Sequence, residues 1–350
     1  MLKAILTVAL LSAAFAACAA GQVPPGYEII PITENPYYDS RPSINNHSQV
    51  VFATRFGDGS TQEIFLYQRG ELTQLTDDDV FDGWPDINDD GTIVWSRKVG
   101  QNDTYEIVLY RDGDMTLLTD DAFSDYTPKI NNLGHVVWSN HTTGGACTTS
   151  EVFFYDGETT EQITNDTPLN LASQSPQIND HDWIVWTRYN YCEDPYESEI
   201  RLYRDGVITT LTDGQAAPRG PSINNRGRVA WLFQIGPGEH AIEVWEDGVT
   251  WLLTDWGGGP RLNDRGDIAF QRWYESNSTY QLWLYRAGQF LQITDNSVWN
   301  YLGDMNQAGE VVFHRENYPT TDIGYMRLVP PGASNSSAEI EAVNVRGLNP

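Results

Sequence analysis

Six loop aromatics, Tyr38, Trp84, Tyr126, Trp256, Trp299 and Tyr301, share this 350-residue chain with short runs of aspartate. The runs are Asp77-Asp78-Asp79 and Asp120-Asp121, with Asp166, Asp213, Asp255 and Asp295 at matching places. Aromatic faces of this kind stack on sugars or receive the apolar anchors of a protein partner. The aspartates form an acidic rim, or they cap turns where strands end. A second set consists of Asp86, Lys129, Gln177, Arg261 and Asp304, together with Ser43 and Ser222. Each precedes a recurring apolar residue and is expected to edge a central channel, gripping a ligand or holding water.

Signals for metal and acid–base chemistry are weaker. His47, His135 and His181 fall in tight turns, while His141, His240 and His314 belong to separate segments, and no pair has ligand spacing. Asp86-x-Asn88-x-Asp90-Gly91 imitates the start of a calcium loop, but Arg97 stands where that loop needs a glutamate. Arg265-Gly266-Asp267 is a turn of the repeat described below. There is no Gly-x-Ser-x-Gly elbow for a serine nucleophile. No catalytic residue, resident metal or cofactor is expected, beyond diffuse Ca2+ binding by the acidic loops. The sequons Asn102-Asp103-Thr104 and Asn140-His141-Thr142 matter only where exports are glycosylated.

These residues hang on a repeat. Pro42-Ser43-Ile44-Asn45 recurs as Pro85-Asp86-Ile87-Asn88, Pro128-Lys129-Ile130-Asn131, Pro176-Gln177-Ile178-Asn179, Pro221-Ser222-Ile223-Asn224, Pro260-Arg261-Leu262-Asn263 and, degenerate, Gly303-Asp304-Met305-Asn306. The asparagines are 43, 43, 48, 45, 39 and 43 residues apart. Seven residues after each comes an aromatic: Phe52, Trp95, Trp138, Trp186, Trp231, Phe270 or Phe313. These are expected in the core. Each unit reads as four short strands. The Asn phrase is followed by a turn tolerant of positive φ, then a β-branched and aromatic strand, a variable loop, and a third strand turning tightly into a fourth. Some forty residues and four antiparallel strands per unit is the arithmetic of a β-propeller blade.

The expected fold is therefore all-β, a seven-bladed propeller over residues 21–329. Fourth strands end at Thr76, Thr119, Thr164, Thr212, Thr254 and Thr294, and the missing seventh is Ile29-Ile30-Pro31-Ile32-Thr33 at the front. The strand at 28–33 should then complete blade seven, closing the ring and removing an exposed edge. Residues 330–350 read as a flexible tail.

The first twenty residues read as a targeting segment. Lys3 is followed by an almost wholly apolar run from Ala4 to Phe15 and by small residues, a secretory signal cleaved after Ala16, Ala19 or Ala20. Phe15-Ala16-Ala17-Cys18 offers a second reading, a lipoprotein signal. The run is too short for a permanent span, and no later stretch approaches that length without charges. With 21 Lys and Arg against 48 Asp and Glu, the net charge of −27 argues against nucleic-acid or anionic-membrane partners. Aromatic residues make up 12% of the chain, which argues against disorder. With Cys18 removed or lipidated, Cys147 and Cys192 remain, both in second-to-third loops of neighbouring units, and an exported chain is expected to join them in a disulfide.

Strand-turn-strand units ending in Leu-Thr-Asp, followed by a loop and Pro-x-Ile-Asn-x-x-Gly-x-Val-Val-Trp, resemble the WD40-like repeats of TolB-type propellers. The family phrase has Phe-Ser where this chain has Ile-Asn, and a proline that is absent here. The resemblance covers residues 28–329 and implies the fold. It leaves function open, because propellers serve binding, scaffolding and several chemistries. Neither the additional N-terminal domain of TolB nor a C-terminal hydrolase domain is expected beside the repeats.

Variable loops on a rigid scaffold are where binding is expected. The first expectation is an exported, monomeric, non-enzymatic binding or scaffold module, periplasmic, extracellular or surface-lipidated, whose variable-loop face holds a protein or peptide. The alternatives are a glycan binder using the Trp/Tyr platform, and a polysaccharide lyase or hydrolase with carboxylates meeting at the channel mouth.

Overall fold

The computed structural model describes residues 23, 26–57, 59, 61–99, 104–142, 149–192, 197–212, 217–236, 239–276, 278–317 and 320–329. The expected signal segment 1–20 with Cys18, Cys147, Asp213, Asn102 and the 330–350 tail lie outside these residues.

The described residues are all-β apart from one 3-10 turn, Thr167–Leu169. The first repeat gives four strands, Tyr38–Ile44, Val50–Phe56, Thr61–Gln68 and Glu71–Gln74, each antiparallel to the one before. The next five repeats do the same. The seventh supplies Trp299–Met305, Val311–Asn317 and Thr320–Leu328, and Tyr27–Pro31 pairs antiparallel with the last of these.

Burial explains the composition of each strand. Second and third strands have sheets against both faces, so they are buried almost continuously, as in Val50–Phe56 and Thr61–Gln68. Outer strands reach solvent, and Asp114–Leu117 is exposed throughout. The seven aromatics at the repeat's second strand are at most 2% exposed. Apolar clusters straddle adjacent repeats: Val51, Ala53 and Ile64 pack with Ile87, Trp95 and Val108. Another cluster joins Ile30 and Ile32 to Phe52 of the first repeat and Ile323 of the seventh.

The repeat asparagine earns its place through its short side chain, which serves both its own turn and the neighbouring repeat. In Asn179, Oδ1 accepts the backbone N–H groups of His181 and Trp183, both at 3.0 Å, and Nδ2 donates to the Asn224 carbonyl at 3.0 Å. The third residue after each asparagine has positive φ, from 59° at Ser48 to 85° at Gly266, hence the glycines there. Thr33 repeats the outer-strand threonine contact. Its Oγ1 accepts the N–H of Ile323 at 2.8 Å, as Thr76 does from Ile64 at 2.9 Å and Thr294 from Leu282 at 2.8 Å.

Between repeats, carboxyl groups gather in register. Glu63, Asp78 and Asp82 meet where the first repeat packs on the second, and Glu106, Asp121 and Asp125 meet where the second packs on the third. Desolvation raises four of them: Glu63 and Asp125 to about 7, Asp82 to about 6, with Glu106 moved the same way. Asp39, beside the seventh repeat, is also raised to about 6 by burial.

Two outcomes are expected. Asn179→Ala orphans two N–H groups and one carbonyl, and should cost about 3 kcal/mol in urea unfolding. The raised carboxyls make the folded state bind more protons than the unfolded one from about pH 4 to about pH 7. In chelator, their contribution to stability is fully present below pH 4 and is lost as pH rises through 7. The urea midpoint should fall across that window, and Asp125→Asn should flatten the fall.

Candidate ligand-binding site

Each inner strand carries an irregularity ahead of the asparagine phrase. Pairing with the second strand skips between Ser40 and Ser43, Gly83 and Asp86, Tyr126 and Lys129, and at matching places in the other repeats. The inserted residue has positive φ in six repeats: Arg41 at 55°, Trp84 at 57°, Thr127 at 53°, Ser175 at 55°, Gly220 at 61° and Gly259 at 63°. Glycine takes this conformation freely, whereas Arg, Trp, Thr and Ser are strained in it by of order 1 kcal/mol each. The first four repeats thus hold side chains at a position where the fifth and sixth have glycine, and the seventh has Leu302 there. A bulge re-aims the strand locally.

Around Arg41 and Trp84 the loop aromatics form a wall. Trp84 meets Tyr126 at 5.5 Å, Tyr105 at 5.8 Å and Phe81 at 5.9 Å between ring centres, and Tyr126 meets His141 at 5.0 Å. The Arg41 guanidinium lies 4.7 Å from the Trp84 ring centre, and that of Arg55 lies 5.5 Å from the Tyr38 ring. On the other side, Tyr301 stacks on His314 at 4.9 Å and contacts Tyr280 and Trp299 at 5.5 and 5.8 Å. Trp299 and Trp273, 5.9 Å apart, are 39% and 38% exposed, which leaves their faces open to a ligand.

Arg41 is exposed, yet the surrounding walls remove enough bulk water to lower its pKa, with Tyr38 opposing and Arg55 adding to the effect. Among the described residues no carboxylate pairs with it. Burial, helped by the Arg41 charge, pushes His314 down to about 4, so its imidazole is neutral at pH 7, and its buried Nδ1 has no hydrogen-bond partner. Burial pushes the Tyr301 phenol up to about 12, ahead of the effects of Glu316, Tyr280 and Tyr38. At neutral pH the wall therefore offers two exposed cations, Arg41 and Arg55, with uncharged donors and acceptors and aromatic faces.

Nearer the turns, Asp86, Lys129, Gln177, Ser222, Arg261 and Asp304 line one cavity of about 170 Å³. One side of it is a bonded chain: Ser43 Oγ donates to Asp86 at 2.7 Å and reaches Asp304 at 3.1 Å, and Lys129 Nζ pairs with Asp86 at 2.8 Å. Arg261 instead donates to the carbonyls of Gly303 and Pro260, at 2.9 and 3.0 Å.

The structure thus brings Tyr38, Trp84, Tyr126, Trp299 and Tyr301 to the neighbourhood of Arg41 and His314. It places Trp256 elsewhere. That ring packs on Trp283, Phe290 and Phe270 at 5.0, 5.3 and 5.5 Å, under the guanidinium of Arg272, in the apolar cluster joining the fifth and sixth repeats. Loop aromatics alone did not single out Arg41, Arg55, His141, Trp273 or His314. Superposing the repeats reveals Arg41, at the Trp84 position, and it aligns Arg55, His141 and Trp273, each three residues beyond the core aromatic. Cys192 is described, and its expected partner Cys147 is not.

In an NMR titration the His314 ring protons should move with a midpoint near 4, and Arg41→Ala should raise that midpoint by removing the repulsion.

No family model and no curated protein matches the chain. Solved structures do. Oligogalacturonate lyase in complex with manganese aligns over 90% of this chain and 95% of its own, with TM-score 0.66 and 12% identity. The β-propeller domain of the Trilobed protease from Pyrococcus furiosus aligns over 83% and 97%, with TM-score 0.62 and 12% identity. Pyrococcus horikoshii acylaminoacyl peptidase aligns at TM-score 0.62 and 14% identity over 83% of this chain, which spans about half, 52%, of that one. These neighbours are propeller proteins, in agreement with the resemblance to TolB-type repeats. At such identities the likeness shows the fold alone, and the chain is a β-propeller.

Proposed function

We propose that this chain is an exported, non-enzymatic propeller that binds a protein or peptide through its variable-loop face, with Arg41 meeting an acidic group of the partner. The carrying observation is the Arg41 guanidinium, exposed, stacked 4.7 Å over Trp84 and without a carboxylate partner among the described residues of a chain with net charge −27. In so acidic a protein a cation left open beside aromatic faces suits an anionic group on an otherwise apolar segment. Trp299 and Trp273 supply further exposed anchors, and the neutral His314 and protonated Tyr301 suit hydrogen bonding to a ligand.

The scaffold in this reading is a monomeric ring of seven blades closed by the N-terminal strand. Its support is the pairing of Tyr27–Pro31 with Thr320–Leu328, the Thr33–Ile323 bond, and the hydrogen bond from Asn306 back to the Asn45 carbonyl at 3.0 Å. Export rests on the signal-like residues 1–20. Among the described residues no helix is long and apolar enough to cross a membrane. A Cys147–Cys192 bridge belongs to the same reading, supported by Cys192 being disulfide-bonded.

A second reading is an acidic glycan. The paired, part-exposed Trp299 and Trp273 favour it, and a neighbour of the same fold is an oligogalacturonate lyase. The test uses mature protein, fixed through its C-terminal tail, against envelope and culture-fluid fractions, with oligogalacturonate as a competing probe. Alongside run Arg41→Ala and Trp299→Ala. The partner reading expects one captured protein whose affinity falls about tenfold or more in each variant. Equal capture by all three baits would remove it, and oligogalacturonate binding lost in Arg41→Ala would put the glycan reading in its place.

A further inference from the structure

We infer that the junction of the second and third repeats, formed by Glu106, Asp121 and Asp125, is a binding site for a calcium-class divalent cation. It is separate from the variable-loop binding reading and does not depend on it. The three carboxylates come from a third strand, the following loop and the next inner strand, and each places an oxygen within 4.8 Å of the others. Asp125 is fully buried. Its Oδ1 takes a hydrogen bond from Asn140 Nδ2 at 2.9 Å, while its Oδ2 finds no hydrogen-bond partner. Thr119 also neighbours Asp125, but its single hydroxyl proton goes to Glu106 Oε2 at 2.8 Å. Glu106 Oε1 receives Thr104 at 2.9 Å.

An orphaned, desolvated carboxylate oxygen beside two other carboxylates is costly unless a cation or proton meets it. Other junctions of the same chain show how such a cluster is otherwise neutralised. At Glu63, Asp78 and Asp82 the cation is Arg97, which bonds Asp82 at 2.9 Å and also contacts Asp78, although Glu63 Oε2 is left without a hydrogen-bond partner. The position of Arg97 in the third repeat is Asn140, so the Glu106 cluster lacks that guanidinium. Between the sixth and seventh repeats the same three positions are Gln281, Asn296 and Asn300. There amide hydrogens replace the missing charge, with Asn300 Nδ2 bonding Asn296 Oδ1 at 2.9 Å and Gln281 Oε1 at 3.3 Å. Carboxylates with no arginine beside them, and with Asn140 as an amide donor that leaves Asp125 Oδ2 unmet, mark the second junction as the one built for an outside cation.

The donors also select the cation. The cluster presents carboxylate oxygens with the hydroxyls of Thr104 and Thr119 beside them, a hard oxygen set that suits Ca2+ with its flexible coordination better than Mg2+ or a softer metal. Asp121 is exposed, which gives an entry path and room for water ligands.

The test is calorimetric titration of chelator-stripped full-length protein with CaCl2, followed by melting curves across calcium concentrations. Glu106→Gln/Asp121→Asn/Asp125→Asn copies the composition of the amide junction. Asp121→Asn alone changes only an exposed carboxylate, and its new side-chain oxygen still caps the Phe123 N–H that Asp121 accepts at 2.7 Å. Wild type should bind Ca2+ and gain melting temperature with each tenfold rise in calcium. Asp121→Asn should bind several-fold more weakly, and the triple variant should show no gain. Glu63→Gln/Asp78→Asn/Asp82→Asn should keep the wild-type response. Absence of any wild-type response up to ~10 mM Ca2+, about tenfold beyond the weak end of extracellular calcium modules, would overturn the inference. So would an unaltered response in Asp121→Asn, which covers the case of a triple variant that fails to fold.

Discussion

The side-chain amide of Asn45 donates to the backbone carbonyl of Asn88 at 2.9 Å, Asn88 donates to Asn131 at 3.1 Å, and the step recurs until Asn306 donates back to Asn45. A second circuit runs beside it one residue later. The Asn46 N–H bonds Asp89, Asp89 bonds Asn132, and the sequence returns when the Gln307 N–H bonds Asn46 at 2.8 Å. Both circuits are made by short polar side chains held in tight turns, and the donating asparagines of the first are buried. Each repeat is thereby fixed in height and rotation against the next, because a shift would unpair buried donors and acceptors along the circuit. That constraint lets the other three strands vary and lets the loops carry chemistry.

The second circuit also shows how an acidic chain places charge without repulsion. Its members alternate amide and carboxylate, Asn46, Asp89, Asn132, Asp180, Asn225 and Asp264, and end with Gln307. Asp180 and Asp264 share the Asn225 amide, at 2.9 and 3.1 Å. A ring of seven aspartates would set like charges side by side; alternation gives each carboxylate N–H donors instead. The cavity beside it is likewise mixed, with Lys129 set against Asp86.

Much of this was legible in the sequence because it repeats. The Pro-x-Ile-Asn phrase, the buried aromatic seven residues later and the outer-strand threonine are each demanded by one contact made again in repeat after repeat, so spacing exposes them. The site was legible only in part, because it exists where the repeats differ. Trp84 and Trp256 look alike as loop tryptophans. Trp84, however, is three residues before Ile87 and falls on the bulge, whereas Trp256 is six before Leu262 and folds into the gap between repeats. Loops of unequal length hide that distinction until the pairing register is known. Arg41 is not marked by residue type, as the loop aromatics are, although its position matches that of Trp84.

The junctions between repeats act as a substitution series written within one chain. The same three places hold Glu63, Asp78 and Asp82 with Arg97 beside them, Glu106, Asp121 and Asp125 without an arginine, Gln281, Asn296 and Asn300, and the apolar combination Ala241, Trp256 and Gly257. All four occur in one architecture, so the scaffold does not require charge at a junction. The apolar version fills the space with an indole, and the amide version satisfies itself by hydrogen bonds. Acid retained at the second junction, buried and without an internal cation, is therefore not explained by packing. Strain retained at Arg41 and Trp84, where glycine serves in other repeats, stands in the same position. In both places the repeat itself supplies the easier alternative, and the departure from it marks a residue held for something other than the fold.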